Sequence, residues 1–182
     1  MGFDLAHTVS SLSKLALRIN RKSEKYHKRK EAEEAIESVL EKYKDREGFL
    51  SMLDEYGRDI FIHIISNEAE ETALKALYVA DDVNKEDRYG YSYLTFACVG
   101  HKVKVIEELL RMGADPNHKS NPLLKALGRK NKGNPAILKL FIRYGVDLKA
   151  EVNRSTVEET IRSFGDEELN QILDKNKSSN WA

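Results

Sequence analysis

A segment of about 33 residues recurs along the chain, and this period constrains the possible folds more than any other feature of the sequence. DEYGRDIFIHI begins at Asp54, and the similar stretch DRYGYSYLTFA begins at Asp87. The closing stretches ADDVN and GADPN end at Asn84 and Asn117, so the same step separates both ends of the unit. A unit of this length cannot bury its apolar face alone, which predicts that three or more units stack along the chain.

The units resemble the ankyrin repeat, whose pattern runs D-x-x-G-x-T-P-L-H-x-A, then G-H, and closes with L-L-x-x-G-A-D-x-N. Unit 87–117 matches best, at positions Asp87, Gly90, Leu94, Ala97, Val105, Ile106, Leu109, Leu110, Gly113, Ala114, Asp115 and Asn117. It departs from the pattern where Ser92, Tyr93 and Thr95 replace the Thr-Pro pair and the His. Unit 54–84 is more degenerate and has Asp59, Ile60 and Ile62 at those positions.

The resemblance covers about residues 48–175 and implies an all-α ankyrin-repeat solenoid of stacked helix pairs. We expect repeats at 54–86, 87–119 and 120–150, a C-terminal cap at 151–175 and a tail at 176–182. Residues 1–47 do not fit the repeat. Their apolar stripes predict two helices, from about residue 4 into the mid-twenties and near 29–44, which form an N-terminal helical cap or a separate arm.

The turn chemistry of the repeat can be predicted from the residues themselves. Gly57 and Gly90 lie where a tight turn needs a positive φ, and the aspartate ahead of each can bond to its own backbone to close the turn. Gly113 is expected to end the second helix of its repeat in a left-handed conformation.

The sequence predicts no enzyme, no cofactor and no metal site. The five histidines lack the spacing that a metal needs, and lie at His7, His27, His63, His101 and His118. The one cysteine, Cys98, is expected to pack inertly in a first helix, and it cannot form an internal disulfide. That composition and the lack of a signal-peptide pattern at the N-terminus favour a cytoplasmic location.

A basic segment runs from Lys14 to Lys30 and contains eight Lys or Arg residues with Glu24 as its only acid. One interpretation is a peripheral membrane or nucleic-acid adaptor that docks through this helix. The favoured interpretation is a solvent-facing helix, because an acidic run from Glu31 to Glu41 follows and Glu–Lys pairs can form across the junction. The 30 basic and 30 acidic side chains of the chain cancel, so any such attraction is local.

The resemblance implies that a partner is bound by the turn tips and the exposed side of the first helices. The tip positions are Glu55, Tyr56 and Arg58 in tip 1 (55–58) and Arg88, Tyr89 and Tyr91 in tip 2 (87–91), and the helix positions are Ser66, Asn67 and Val99. Tyrosine and arginine are common at interface hot spots, which independently favours contact with a protein partner. Alternatively, the tyrosines pack along their own hairpins, and Tyr93 is expected to have a structural role at the helix start.

We therefore predict a non-enzymatic protein–protein interaction module. A more specific hypothesis is a dedicated inhibitor, such as an immunity protein against a toxin, because the sequence shows no other domain. The partner is expected to be another protein, and nucleic acid or a membrane is the less favoured alternative.

Overall fold

A computed structural model of the chain describes residues 24–43, 53, 55–80, 82–128 and 134–179. The helices in these ranges are α1 (Glu24–Tyr43), α2 (Ile60–Asn67), α3 (Glu70–Leu77), α4 (Tyr93–Val99), α5 (Val103–Arg111), α6 (Pro122–Leu127), α7 (Pro135–Arg143), α8 (Val157–Arg162) and α9 (Glu167–Ser179). One short hairpin pairs β1 (Glu151–Val152) with β2 (Ser155–Thr156). The helix predicted from about residue 4 lies mostly outside the described residues.

The chain divides into an N-terminal body, Met1–Tyr93, and a C-terminal body, Leu94–Ala182, with the boundary inside α4. In the N-terminal body, α1 and α2 both pack against α3. Helix α1 buries Ala32, Ile36 and Val39, which follow one another at helical spacing. Its described part, Glu24–Tyr43, includes residues ahead of the predicted start near 29, and it contains neither proline nor glycine.

Helix α2 contributes most of its apolar side chains to the core of the N-terminal body. Phe61, Ile62, Ile64 and Ile65 are buried. The helix starts at Asp59, whose Oδ1 accepts a hydrogen bond from the Ile62 backbone N–H at 3.0 Å. Asp59 therefore caps the helix at a position where the ankyrin pattern has threonine.

The C-terminal body stacks helix pairs in sequence order. Helix α5 packs on α7 and α7 packs on α9, while α6 contacts both α7 and α8. Helix α5 shows why the stack forms, since Val105, Ile106, Leu109 and Leu110 are all buried along one face. Gly113 has the predicted positive φ, at +93°, in the turn that follows α5.

Two polar contacts join successive loops of the C-terminal body. The Asn117 side chain donates to the Gly145 carbonyl oxygen at 3.1 Å and accepts from the Asp147 N–H at 2.6 Å. The Thr95 hydroxyl, which stands at the His position of the pattern, lies 2.5 Å from the Ser120 hydroxyl. The Thr95–Ser120 bond is partly buried and satisfies polar groups that have lost water, whereas the bonds of Asn117 are exposed.

Charged side chains connect the last two helices. Glu158 on α8 pairs with Arg162 at 2.8 Å and with Lys177 of α9 at 2.7 Å. Burial opposes ionisation of Glu158, but hydrogen bonds from Lys177 and Arg162 outweigh it and lower the pKa of the carboxyl. Helix α9 continues to Ser179, past the predicted end of the cap at 175, because polar residues without proline or glycine follow.

Candidate protein-binding surface

The two tips of the N-terminal body are hydrogen-bonded neighbours. The backbone N–H of Arg88 in tip 2 donates to the carbonyl oxygen of Tyr56 in tip 1 at 2.8 Å. Gly57 permits this approach, because its φ is +75° and a Cβ there would lie 3.1 Å from the Arg88 nitrogen. The tips are therefore held in a fixed register by main-chain contact.

Asp87 organises tip 2 from inside. Its Oδ1 accepts hydrogen bonds from the backbone N–H groups of Tyr89 and Tyr91, each at 2.9 Å. Its own N–H donates to the Tyr91 carbonyl at 3.0 Å, and Glu86 pairs with Ser92 in a single antiparallel bridge below the turn. The Asp87 side chain is fully buried, so these bonds compensate the lost hydration of Oδ1, while Oδ2 accepts no hydrogen bond from a described residue.

Arg58 connects tip 1 to this buried carboxylate. Its Nε lies 3.5 Å from Asp87 Oδ2, and its Cζ lies 5.0 Å from the centre of the Tyr56 ring. The guanidinium thus makes an ion pair and a cation–π contact at once. In the same tip, a hydrogen bond to the Glu55 carboxylate and its negative charge raise the pKa of the Tyr56 phenol.

The rings of Tyr56 and Tyr89 lie side by side across the two tips. Their centroids are 6.2 Å apart, with an interplanar angle of 31°. Even so, Tyr56 remains 39% exposed and Tyr89 61% exposed. The alternative that the tyrosines pack only on their own hairpins therefore accounts for part of their surface, and a tilted aromatic pair stays open to solvent.

The fold and the repeat can now be compared with known proteins. The structure is similar to the crystal structure of an ankyrin repeat domain from Acinetobacter baumannii, with a TM-score of 0.60, 17% identity, and coverage of 94% of this chain and 93% of that chain. Residues 89–121 match the family model for the ankyrin repeat. The chain therefore contains an ankyrin repeat and has the fold of an ankyrin repeat domain. No curated protein matches it.

Ankyrin repeats indicate a protein–protein interaction module, and domains of this kind are generally non-enzymatic. The structure places most of the residues predicted for partner binding in the N-terminal body of this protein. Glu55, Tyr56, Arg88, Tyr89, Ser66 and Asn67 are exposed, and Arg58 and Tyr91 are partly exposed. Val99 is 58% exposed at the end of α4 and belongs to the C-terminal body.

Sequence analysis missed two residues near the tips. Leu53, just before tip 1, is 61% exposed, and nothing in the apolar run FLSML that it ends indicated this exposure. Asp59 accepts a hydrogen bond from the Tyr93 hydroxyl in addition to capping α2. Tyr93 is fully buried beside Phe61, with ring centroids 6.0 Å apart, so this tyrosine contributes to the core.

The described residues of this protein include no group of three or more His, Cys, Asp or Glu that could hold a metal ion. Cys98 is fully buried, and burial raises the pKa of its thiol, so it is a poor nucleophile. His118 Nδ1 lies 2.7 Å from the Ser120 hydroxyl, but His118 is buried and that hydroxyl also contacts Thr95. This arrangement is typical of a structural bond between loops.

Only the second half of the basic segment lies within the described residues, on α1. There Lys30 pairs with Glu34 at 3.5 Å, one helical turn away. A Glu–Lys pair of this kind was expected if the segment is a solvent-facing helix. None of the described helices contains an apolar stretch long enough to cross a membrane.

Proposed function

We propose that this protein binds another protein through tips 1 and 2 and the exposed end of α2, all within its N-terminal body. The proposal rests on the positions of the large apolar side chains that are exposed to solvent. Among the described residues these are Leu53, Tyr56, Tyr89 and Val99, and the sequence predicted all but Leu53 as partner-binding positions. Leu53, Tyr56 and Tyr89 belong to the N-terminal body and lie at the tips or just before tip 1, and exposed apolar side chains grouped in this way are typical of interaction surfaces.

The construction of the tips supports the same proposal. Asp87 and the Arg88–Tyr56 backbone bond order both tips before a partner binds. Binding therefore costs little backbone conformational entropy. Tyrosine side chains add large contact area and a polar end at a modest cost in side-chain entropy. The two tips therefore present Tyr56 and Tyr89 as anchor residues on a preorganised backbone.

A triple variant tests the proposal, with Tyr56→Ala, Tyr89→Ala and Tyr91→Ala combined. We expect it to lose affinity for the natural partner by about 100-fold or more, since aromatic hot spots each contribute about 2 kcal/mol or more. Pull-down with quantitative mass spectrometry identifies the partner, and calorimetry measures the affinity. Tyr144→Ala, in the turn after α7, is the matched control and should bind as the wild type does. Retention of every partner at full affinity by the triple variant would show that the tips are not the binding surface.

The narrower proposal is that the partner is a toxin, which this protein occludes as an immunity protein does. A preorganised surface supports it, because tight inhibition requires that little binding energy be spent on ordering. Co-expression with the product of a neighbouring toxin-like gene should restore growth, and the triple tyrosine variant should fail to do so. The inhibitor role is wrong if the purified protein neither binds nor neutralises that product, whereas binding to some other protein would leave the broader proposal intact.

A further inference from the structure

Tip 2 contains an exposed cation that makes no ion pair with a described side chain. Arg88 lies between the buried Asp87 and the exposed Tyr89. Its backbone N–H bonds to the Tyr56 carbonyl, which fixes the Arg88 Cα beside tip 1. Within the ranges that the structure describes, its guanidinium makes no ion pair.

The other charged groups of the tips are already engaged. Arg58 pairs with Asp87 and covers the Tyr56 ring, and the Glu55 carboxylate accepts the hydrogen bond of the Tyr56 phenol. Arg88 is therefore the tip cation that remains available to a partner. A guanidinium presents a planar fork of donors that matches a carboxylate, and it binds such a group in two parallel hydrogen bonds.

We infer that the partner protein presents a carboxylate side chain to Arg88, next to an apolar or aromatic side chain that packs on the Tyr56–Tyr89 pair. The inference rests on the proposed function and specifies the chemistry of the partner segment. Charge complementarity and the adjacent rings together select an acidic residue flanked by an apolar one. The two tips then recognise a charged group and an apolar group at neighbouring positions of the partner, which gives specificity as well as affinity.

A phosphate-bearing polymer would be a different ligand, and the observations favour it less. Binding to nucleic acid or to anionic lipid draws on several cations acting together. At the tips, Arg58 is matched by Asp87 and Glu55 adds an exposed anion, so Arg88 is the one tip cation without an ion pair among the described residues. One cation beside an apolar surface suits a single carboxylate on a protein.

Selection from a random-peptide display library tests the inference with a defined probe. Wild-type protein should enrich peptides with Asp or Glu next to Leu, Phe, Tyr or Trp. Arg88→Glu should bind the enriched peptides about 10-fold or more weakly and should itself enrich Lys or Arg at that position. Lys149→Glu makes the same charge change at an exposed site in the C-terminal body and should behave as the wild type does.

The outcomes separate the two proposals. If the triple tyrosine variant enriches the same peptides as the wild type, the tips are not a binding surface and the proposed function fails. If enrichment depends on the tyrosines but shows no acidic preference, or survives Arg88→Glu unchanged, only the present inference fails. Titration with oligothymidylate and with phosphatidylserine vesicles completes the test. Binding of either that Arg88→Glu abolishes would overturn a protein carboxylate as the ligand.

Discussion

Replacement of Tyr93 by alanine is expected to lower the free energy of unfolding by about 3–5 kcal/mol, the range for loss of a large buried aromatic side chain. Tyr93 is fully buried, its ring contacts Phe61, and its hydroxyl donates to Asp59. The alanine variant leaves a cavity and removes this polar contact between two successive repeats. Urea unfolding followed by circular dichroism measures the change.

One further variant separates the contribution of the hydroxyl from that of the ring, and a second variant is its control. Tyr93→Phe keeps the ring and removes the hydroxyl, so it should cost about 1.5–3 kcal/mol, as for a hydrogen bond to a charged acceptor. Tyr89→Phe removes a hydroxyl from a side chain that is 61% exposed and should change stability by less than about 0.5 kcal/mol. If Tyr93→Phe were as stable as the wild type, the bond to Asp59 would contribute nothing, and cavity formation would be the whole effect.

The period of the sequence predicted the backbone of the repeats well. Gly57 and Gly90 both have φ of +75°, and Gly113 has φ of +93°, at the turns where the pattern required a positive value. Leu94, Ala97 and the apolar face of α5 are buried as expected. These features depend on local geometry that recurs in each unit, so a repeat pattern contains the information to predict them.

Side-chain partners at the degenerate positions could not be predicted in the same way. Asp59 and Tyr93 replace the consensus residues of two different repeats, and they meet through a hydrogen bond between side chains that are 34 residues apart in the sequence. Likewise, Thr95 replaces the consensus His of its repeat and finds Ser120 in the next loop. Such pairs compensate for each other across repeats, and a pattern read one unit at a time does not show them.

The sequence predicted which residues lie at the tips, and the structure shows which of them already pair with another side chain. The pattern identified Arg58 and Arg88 as equivalent tip residues. In the structure Arg58 pairs with the buried Asp87, while Arg88 is exposed. The difference arises because tip 1 lies beside tip 2, which brings Arg58 of one repeat next to Asp87 of the following repeat.

Replacement of Asp87 by alanine is expected to destabilise the protein by about 3 kcal/mol, because buried donors left without an acceptor cost about 1–3 kcal/mol each. Two backbone N–H groups, of Tyr89 and Tyr91, lose their acceptor, and Arg58 loses its counter-charge. Asp87→Asn retains an acceptor for the turn but not the charge, so its unfolding free energy should lie between those of the alanine variant and the wild type. Urea unfolding measures the three proteins under identical conditions.

The matched control is Asp147→Ala, in the loop after α7. Asp147 makes one bond of the same type, to the Lys149 N–H at 2.9 Å, but its side chain is exposed and water can replace it. We expect a loss of about 0.5–1 kcal/mol there. If Asp87→Ala cost no more than the control, burial of the carboxylate would not be what fixes tip 2. If it cost more, affinity for the partner should fall in Asp87→Ala and not in Asp147→Ala, because Tyr89 and Arg88 would lose the backbone that positions them.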